Sequence, residues 1–337
     1  MYEFDSFKKE IIVNISQNYP DLRNARIDEF TQILGGADTT IYGFDLISDS
    51  TTIPLVLRIY RSAFSHSARR EFKILQILHS EGISVPKSYL FKEESEATGR
   101  TYIIMERIKG PLLSDELRLS QSTPRFDQLL ETSMRHLVSI HSLDWKRSFT
   151  FLDHFNITVK PEEYFNTKLS RVKRIIFEHG IDTLVPVINW MEANQVEHVT
   201  PCLLHGDYHG MNIIVRGEND FVTIDWSNAH IGDFRSDIGF TLLALNSMGV
   251  DLTEHLVSMY ESISGVKVCN LNYFMVLSAF WNLLRIYSCL FDHSIMGENE
   301  VTTNLFKNEY RGYTLAVIKA THETTGVSLD KLLDALE

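Results

Sequence analysis

The sequence has little cysteine, a shortage of basic charge and no long uninterrupted hydrophobic run. Its 3 cysteines, Cys202, Cys269 and Cys289, are odd in number and far apart in the chain. That spacing excludes a disulfide framework and a cysteine-rich metal site. We therefore expect all of them to be buried thiols, which pack as small apolar side chains.

The charge balance is acidic, because 32 basic residues stand against 44 acidic ones and the formal net charge is −12. Nucleic acids and anionic membrane surfaces need a basic partner, so binding to either is disfavoured. Polar residues interrupt the apolar stretch 274–284 well short of the about 18 residues of a membrane span, and residues 1–10 do not resemble a secretory signal. We expect a cytoplasmic protein with no nucleic-acid or membrane partner.

The remaining composition is that of a folded globular protein. Hydrophobic residues make up 44% and charged residues 23% of the chain, enough apolar material for one large core or two modest ones. The chain has no internal repeat, which makes a solenoid architecture improbable.

Residues 1–105 have the pattern of a small, strand-rich unit with one clear helix. Two apolar segments within residues 33–61, separated by the polar turn at 48–50, predict an antiparallel strand pair. Residues 65–81 have helical apolar spacing and are followed by Gly82, where a helix would end. Segments 87–93 and 100–108 predict two more strands, so the order is β-β-α-β-β. Residues 1–32 are interpreted as a helical lead-in.

Gly110-Pro111 marks a change of pattern, and residues 106–111 are interpreted as a linker between an N-terminal lobe, 1–105, and a C-terminal lobe, 112–337. Helical periodicity dominates after it. The predicted helices are 126–142, 164–179, 183–194, 237–248, 252–264, 271–290 and 300–322. Residues 202–226 form a strand-rich interruption.

The surplus of acidic residues belongs to the helical part of the chain. Residues 1–105 carry 12 of the 32 basic residues and 14 of the 44 acidic ones, which leaves 20 basic and 30 acidic residues in 106–337.

The strand-rich interruption has the residues that suggest chemistry. Apolar runs at 213–215 and 221–224 predict a β-hairpin, with Asp207 and Asn212 before it and Asp225 after it. A hairpin brings the start of its first strand beside the end of its second, so these three side chains should converge. Carboxylate and amide oxygens suit Mg²⁺, which proteins usually hold with one or two carboxylates plus substrate phosphates. Asn212 and Asp225 could hold the ion while Asp207 accepts a proton from a hydroxyl, as phosphoryl transfer requires.

The same segment contains a longer pattern, HGDxxxxN followed by IDWxxAxxGDxxxD. It comprises His205-Gly206-Asp207, Asn212, Ile224-Asp225-Trp226, Ala229, Gly232-Asp233 and Asp237. This pattern resembles the aminoglycoside phosphotransferase and choline kinase-like family, whose members share the protein-kinase-like fold.

The resemblance, which extends from about residue 33 to about residue 290, implies both a fold and an activity. The fold would be α+β and bilobal, with a small antiparallel-sheet N-lobe and a larger, mostly helical C-lobe. It further implies that Asp207 is the catalytic base, that Asn212 and Asp225 bind magnesium, and that ATP is the phosphate donor. Asp233 and Asp237 match positions that support the catalytic loop.

The N-terminal half extends the resemblance to nucleotide-binding residues. Gly35 and Gly36 match the phosphate-covering loop, although the full G-x-G-x-x-G spacing is missing and Asp38 follows. Arg58 matches the basic residue of the third strand, often lysine in the family, and Glu71 matches the helix carboxylate that pairs with it. Glu106 and Ile108 match the hinge, whose backbone contacts adenine.

The expected function is therefore an ATP- and Mg²⁺-dependent transfer of phosphate to a hydroxyl of a small molecule such as an aminoglycoside, choline or homoserine. Protein substrates are disfavoured, because the segment between Asp225 and Asp237 is too short for a long activation loop and no A-P-E sequence follows. Two alternatives remain. One is a catalytically inactive nucleotide-binding protein of the same fold. The other is a zinc or two-metal hydrolase that uses His205 and His209 with the same aspartates.

The acidity of residues 106–337 adds a hypothesis about the acceptor. Carboxylates near the catalytic loop would attract a cationic acceptor. The alternative interpretation is that surplus negative charge only keeps the protein soluble.

Overall fold

A computed structural model describes residues 2–22, 24–33, 39–48, 51–61, 65–155, 163–249 and 251–336. These residues fall into two compact units. The first is Met1–Leu112 with Ile213–Ser227, and the second is Leu113–Asn212 with Asn228–Glu337. The lobe and linker boundaries drawn from the sequence remain a prediction. They place the segment after residue 212 in the C-terminal lobe, 112–337, whereas the division into compact units places Ile213–Ser227 with the first unit.

The first unit is built on a five-stranded antiparallel sheet of order β1-β2-β3-β5-β4. Its elements are α1 Tyr2–Asn18, β1 Arg26–Ile33, β2 Thr39–Ile47, β3 Thr52–Tyr60, α2 Ser65–Ser80, β4 Ser88–Lys92 and β5 Tyr102–Glu106. The predicted β-β-α-β-β order is present as β2 to β5. Strand β1 was missed inside the supposed helical lead-in, because its side chains are mostly exposed and lack the alternation that marks a half-buried strand.

Helix α1 covers part of this sheet and completes the first core. Phe7, Ile11 and Ile15 are spaced four residues apart, so they lie on one face of the helix. All three are buried in one apolar cluster with sheet residues that include Phe44 and Leu57. The amphipathic spacing of α1 therefore fixes which side of the helix packs on the sheet.

The predicted hairpin is present as β7 Ile213–Gly217 and β8 Asp220–Thr223, paired antiparallel. It packs with the first unit because the backbone of that unit satisfies its hydrogen bonds. Val215 N donates to Pro111 O at 2.9 Å, and Thr223 N donates to Ser84 O at 3.2 Å. Because these bonds join residues far apart in the chain, the hairpin belongs to the first unit although it follows residue 112 in the sequence.

The second unit is mostly helical and contains one short strand pair. Its helices are α3 Leu113–Ser120, α4 Pro124–His141, α5 Trp145–Ser148, α6 Tyr164–Glu178, α7 Val185–Ala193, α8 Arg235–Asn246, α9 Thr253–Ser264, α10 Leu271–Phe291, α11 Glu300–Asn304, α12 Arg311–Thr325 and α13 Asp330–Asp334, and its strands are β6 Pro201–Leu204 and β9 His230–Asp233. Together with the first unit, these elements confirm the expected α+β class, with a small antiparallel sheet in the first unit and mostly helices in the second. The predicted helix 300–322 is interrupted by a π-helical turn at Leu305–Glu309, a local insertion that apolar spacing does not reveal.

Helix α10 is long and apolar enough to cross a membrane by length and composition, despite the polar residues that interrupt its apolar stretch. Within its apolar window 61% is buried inside the protein, where α10 packs against α8 and α12. Such burial is typical of the central helix of a helical core.

The cysteines are free thiols in two environments. Cys202 and Cys289 are buried, as expected, but the expectation for Cys269 was wrong because this residue is exposed. Cys269 lies in the loop before α10, where the chain runs along the surface.

Candidate active site

The loop after β6 begins with a turn that requires glycine. Leu203 and Leu204, at the end of β6, are buried in the core. Two residues after Leu204, Gly206 has a φ of +79°. A Cβ atom at Gly206 would lie 2.5 Å from the backbone oxygen of Asn228, so no larger side chain fits. This turn directs Asp207 out of the core and into the segment that contains Asn212.

Asp237, at the start of α8, stabilises this turn by accepting hydrogen bonds from its backbone. His205 N donates to its Oδ2 at 2.8 Å, Gly206 N donates to its Oδ1 at 2.9 Å, and His141 Nε2 lies 3.2 Å from Oδ2. Burial opposes the charged form of Asp237, but the hydrogen bond and charge of His141, the charge of His205 and the Gly206 amide outweigh it and lower its pKa. Its stabilising effect is thus present at neutral pH and is lost as the pH falls through the folded-state pKa.

We expect Asp237→Asn to destabilise the fold by about 3 kcal/mol. Each carboxylate oxygen accepts one backbone N–H, so an asparagine must turn its own NH₂ toward one of these donors. Urea unfolding monitored by circular dichroism measures the change. Asp127→Asn is the control, since Asp127 is an exposed partner of His255, and an Asp237 variant as stable as this control would contradict the supporting role.

Asp207 has its carboxylate oriented within its own loop. Asn212 Nδ2 donates to Asp207 O and to Asp207 Oδ2, both at 3.0 Å. His209 Nε2 lies 3.4 Å from Asp207 Oδ1, and the Asp207 side chain remains 27% exposed. The carboxylate of Asp207 can therefore contact a ligand that arrives from solvent.

The side-chain oxygen of Asn212 is available to bind a cation. Because its nitrogen is engaged by Asp207, the oxygen of the same group is the atom that can meet a cation. In the part of the chain that the structure describes, no group of three or more His, Cys, Asp or Glu side chains is arranged to hold a metal. His205, one of the proposed hydrolase ligands, uses Nδ1 to accept the Asp207 N–H at 3.2 Å.

The first unit brings together Arg58 from β3, Glu71 from α2 and Asp225, which follows β8. Arg58 Nη1 lies 2.7 Å from Glu71 Oε1, and Arg58 Nη2 lies 2.9 Å from Asp225 Oδ1. Arg58 Nε donates to Thr39 Oγ1 at 3.2 Å. The planar guanidinium thus binds three oxygens at once, each through a different nitrogen.

Burial shapes the ionisation of this cluster. Burial lowers the pKa of Arg58, but the charges of Glu71 and Asp225 outweigh it and raise that pKa well above its usual value. Burial raises the pKa of Glu71 and Asp225 adds to the rise, whereas Arg58 and the hydrogen bonds from Tyr60 and the Trp226 amide oppose it. Arg58 therefore stays positively charged, buried between two acidic side chains.

Asp225 has a strained backbone for a residue with a side chain. Its φ of +62° lies in the left-handed region, which costs free energy for any residue but glycine and clusters at functional sites. Ser227 Oγ donates to Asp225 Oδ1 at 2.8 Å and helps to hold this conformation. The chemistry of Asp225 and Asn212, one carboxylate and one carboxamide oxygen, fits the hard oxygen donors of magnesium.

The sequence-predicted residues thus lie in two groups. The structure brings Arg58, Glu71 and Asp225 together in the first unit, and Asp207 and Asn212 together in the second. The convergence of Asp207 with Asp225 stays a prediction.

The remaining predicted nucleotide contacts are placed less fully. Gly35 and Gly36 lie outside the described residues. Glu106 ends β5, where its N–H donates to Lys87 O at 2.8 Å, and Ile108 lies half-buried two residues later.

Sequence reasoning missed two groups that complete the Arg58 cluster. Tyr60 donates to Glu71 from the same strand face as Arg58, and the two-residue period of a strand is the signal that could have identified it. Ser227 lies two residues after Asp225, inside the motif, but its hydrogen bond depends on the unusual turn there.

Comparison with known proteins matches most of this chain. A sequence model of the phosphotransferase enzyme family matches residues 29–265. Acyl-CoA dehydrogenase family member 11 from Rattus norvegicus is 25% identical over 261 residues, which cover 70% of this chain but only 32% of that protein. The chain spans between 24% and 32% of the length of the first curated relatives it matches.

Solved structures with the same fold cover nearly the whole chain. An aminoglycoside phosphotransferase structure from Ralstonia eutropha JMP134 has a TM-score of 0.71 at 16% identity, covering 94% of this chain and 98% of that one. A ternary complex of streptomycin, ATP and APH(2'')-IIa has a TM-score of 0.54 at 18% identity, covering 94% and 95%. At these identities the likeness is one of fold.

Proposed function

Because the chain belongs to the phosphotransferase enzyme family, we propose that it transfers the γ-phosphate of ATP to a hydroxyl group of a small molecule. The observation that carries this proposal is the pairing of Asp207 with Asn212 in one loop, in the spacing that the family uses for chemistry. The ATP-bound structural relative supports the choice of donor.

Asp207 is proposed as the catalytic base. Asn212 orients one of its carboxylate oxygens, and the exposed part of the side chain can meet the acceptor. As the acceptor oxygen forms its bond to the γ-phosphorus, the bond from phosphorus to the bridging oxygen breaks and ADP leaves. The proton of the acceptor hydroxyl passes to Asp207.

Arg58 is proposed to bind the α- and β-phosphates, with Glu71 as the group that orients it. The 2.7 Å ion pair and near-complete burial of both side chains keep the guanidinium in one place, which is how positioning contributes to phosphoryl transfer. The proposed nucleotide contacts further include the backbone at Gly35 and Gly36 over the phosphates, and at Glu106 and Ile108 beside the base.

Asn212 and Asp225 are the proposed magnesium ligands. Mg²⁺ bound there would neutralise the charge on the β- and γ-phosphates. In the structure Asp225 is also bound by Arg58, so the carboxylate already lies beside the cation proposed to contact the phosphates. Within the first unit, the chain holds the carboxylate of Asp225 next to the guanidinium of Arg58.

A screen of ATP consumption tests the proposed activity. The panel comprises streptomycin, hygromycin B, choline, homoserine, methylthioribose and a hydroxyacyl-CoA thioester, the last because the curated relatives are named acyl-CoA dehydrogenase family members. We expect at least one alcohol to raise ATP consumption above the rate without acceptor. Nucleotide binding without consumption on any alcohol would favour the inactive nucleotide-binding protein instead.

Salt dependence tests whether the acidity of residues 106–337 serves the acceptor. If these carboxylates attract a cationic acceptor, kcat/KM should fall at least about threefold between about 20 mM and about 300 mM ionic strength, because salt screens exposed charges. The control is the KM of ATP over the same range. A neutral or anionic best acceptor, or a flat profile, would leave the surplus charge with a role in solubility.

A further inference from the structure

The hydroxyl of Tyr313, on α12, is buried without a hydrogen-bond partner among the described residues. Native proteins leave few buried polar atoms unpaired, because such an atom loses its bonds to water and gains nothing in return. Of the tyrosines in the described part of the second unit, only Tyr273 shares this condition. The Tyr313 hydroxyl therefore has a donor that no group in the described residues accepts, and a bound ligand could accept from it.

A row of aromatic rings leads from Asp207 to Tyr313. The His209 ring, whose Nε2 lies 3.4 Å from Asp207 Oδ1, has its centroid 5.8 Å from that of Phe240. The Phe240 centroid in turn lies 6.3 Å from that of Tyr313. We call these three half-buried rings the aromatic wall. Each of these side chains is only half-buried, so part of each remains open to solvent.

The electrostatic surroundings keep the Tyr313 hydroxyl protonated. Burial raises the pKa of Tyr313, the negative charge of Asp207 raises it further, and Arg285 opposes both. Arg285 itself lies 2.7 Å from Glu298. At neutral pH the Tyr313 hydroxyl is therefore a hydrogen-bond donor, and its pKa depends on the charge of Asp207.

We propose that Tyr313 donates a hydrogen bond to the phosphate acceptor and thereby selects acceptors that have a second oxygen near the reacting hydroxyl. The proposal rests on the proposed function, in which Asp207 receives the proton of that hydroxyl. The aromatic wall packs against the carbon skeleton of the acceptor, and Tyr313 binds an ether, carbonyl or further hydroxyl oxygen. Choline, with a single oxygen, cannot satisfy both groups.

The test compares Tyr313→Phe with Tyr273→Phe. Each substitution removes a buried hydroxyl of the second unit that has no hydrogen-bond partner in the described part of the chain. Tyr273, however, lies on α10 among Phe165, Trp190 and Phe274, apart from the aromatic wall. The KM of the best acceptor in the panel should rise about tenfold in Tyr313→Phe, since a site built to bond an oxygen loses that bond. It should stay unchanged in Tyr273→Phe, and the KM of ATP should stay unchanged in both.

Thermal unfolding of the free protein supplies a second measurement that needs no acceptor. Tyr313→Phe should leave Tm unchanged or raise it, because the removed hydroxyl has no hydrogen-bond partner among the residues that the structure describes. A fall in Tm with an unchanged acceptor KM would show that the hydroxyl is bonded within the protein or to a fixed water, and would overturn the inference.

The panel also separates this inference from the proposed function. Turnover of an acceptor with equal KM in wild type and Tyr313→Phe, or choline as the best acceptor, overturns the role of Tyr313 alone. No ATP consumption by wild type on any alcohol of the panel overturns the proposed function and, with it, the acceptor contact.

Discussion

Replacing Asp207 with asparagine is expected to lower kcat by about 10² to 10⁴-fold, the usual contribution of a positioned proton acceptor. Asparagine has nearly the same shape and retains a side-chain oxygen that can accept the Asn212 Nδ2 hydrogen bond. What it loses is the negative charge that receives the proton. The loss should therefore appear in turnover and not in the folding of the loop.

Two measurements separate chemistry from binding in this variant. Steady-state kinetics with the best acceptor of the panel measures kcat, and calorimetric titration with ATP measures nucleotide affinity, which should stay close to that of wild type. Asp127→Asn is the control for loss of one exposed negative charge in the same unit. An Asp207→Asn protein that turns over at nearly the wild-type rate would place the proton acceptor at another residue.

Replacing Asp225 with alanine is expected to weaken Mg²⁺-dependent ATP binding by about 100-fold or more, because loss even of an outer partner of a metal ligand costs about 10 to 100-fold in metal affinity. The structure adds a second consequence. Asp225 is one of the two acidic partners of buried Arg58, so the variant should also be less stable, since Arg58 keeps only Glu71 as a counter-charge.

The two consequences can be measured apart. ATP affinity is compared in the presence of Mg²⁺ and of EDTA, and only the Mg²⁺-dependent part should disappear in Asp225→Ala. Asp220→Asn is the matched control, because Asp220 belongs to the same hairpin and forms an exposed ion pair with Arg216. Unchanged Mg²⁺·ATP affinity in a folded Asp225→Ala protein would assign the metal to other ligands.

Most secondary structure could be predicted from local patterns. Helices α4, α6 and α10 begin and end within about two residues of the apolar periodicity that predicted them. The hairpin β7–β8 follows from two apolar runs separated by a polar turn, a pattern contained in about a dozen residues. These elements depend on neighbours in the chain, so their signal is in the sequence itself.

Elements that depend on distant partners were missed. β6 and β9 are only four residues long each and pair across about thirty residues of chain. β1 has no apolar alternation and is a strand because β2 offers it backbone partners. The hairpin contacts the rest of the first unit through residues far away in the chain, including hydrogen bonds to Pro111 and Ser84.

The candidate site divides in the same way. The motif from His205 to Asp237 indicated the family and the Asp207–Asn212 loop from the sequence by itself, because short motifs specify them. The pairing of Arg58 with Glu71 was implied by the resemblance to that family, and the structure contains it. Only the tertiary structure decided that Arg58 also binds Asp225, 167 residues away. It alone revealed that the Tyr313 hydroxyl, which is affected by the charge of Asp207, is buried without a hydrogen-bond partner among the described residues. Contacts of this kind depend on how separate elements pack, and no local pattern of residues encodes that packing.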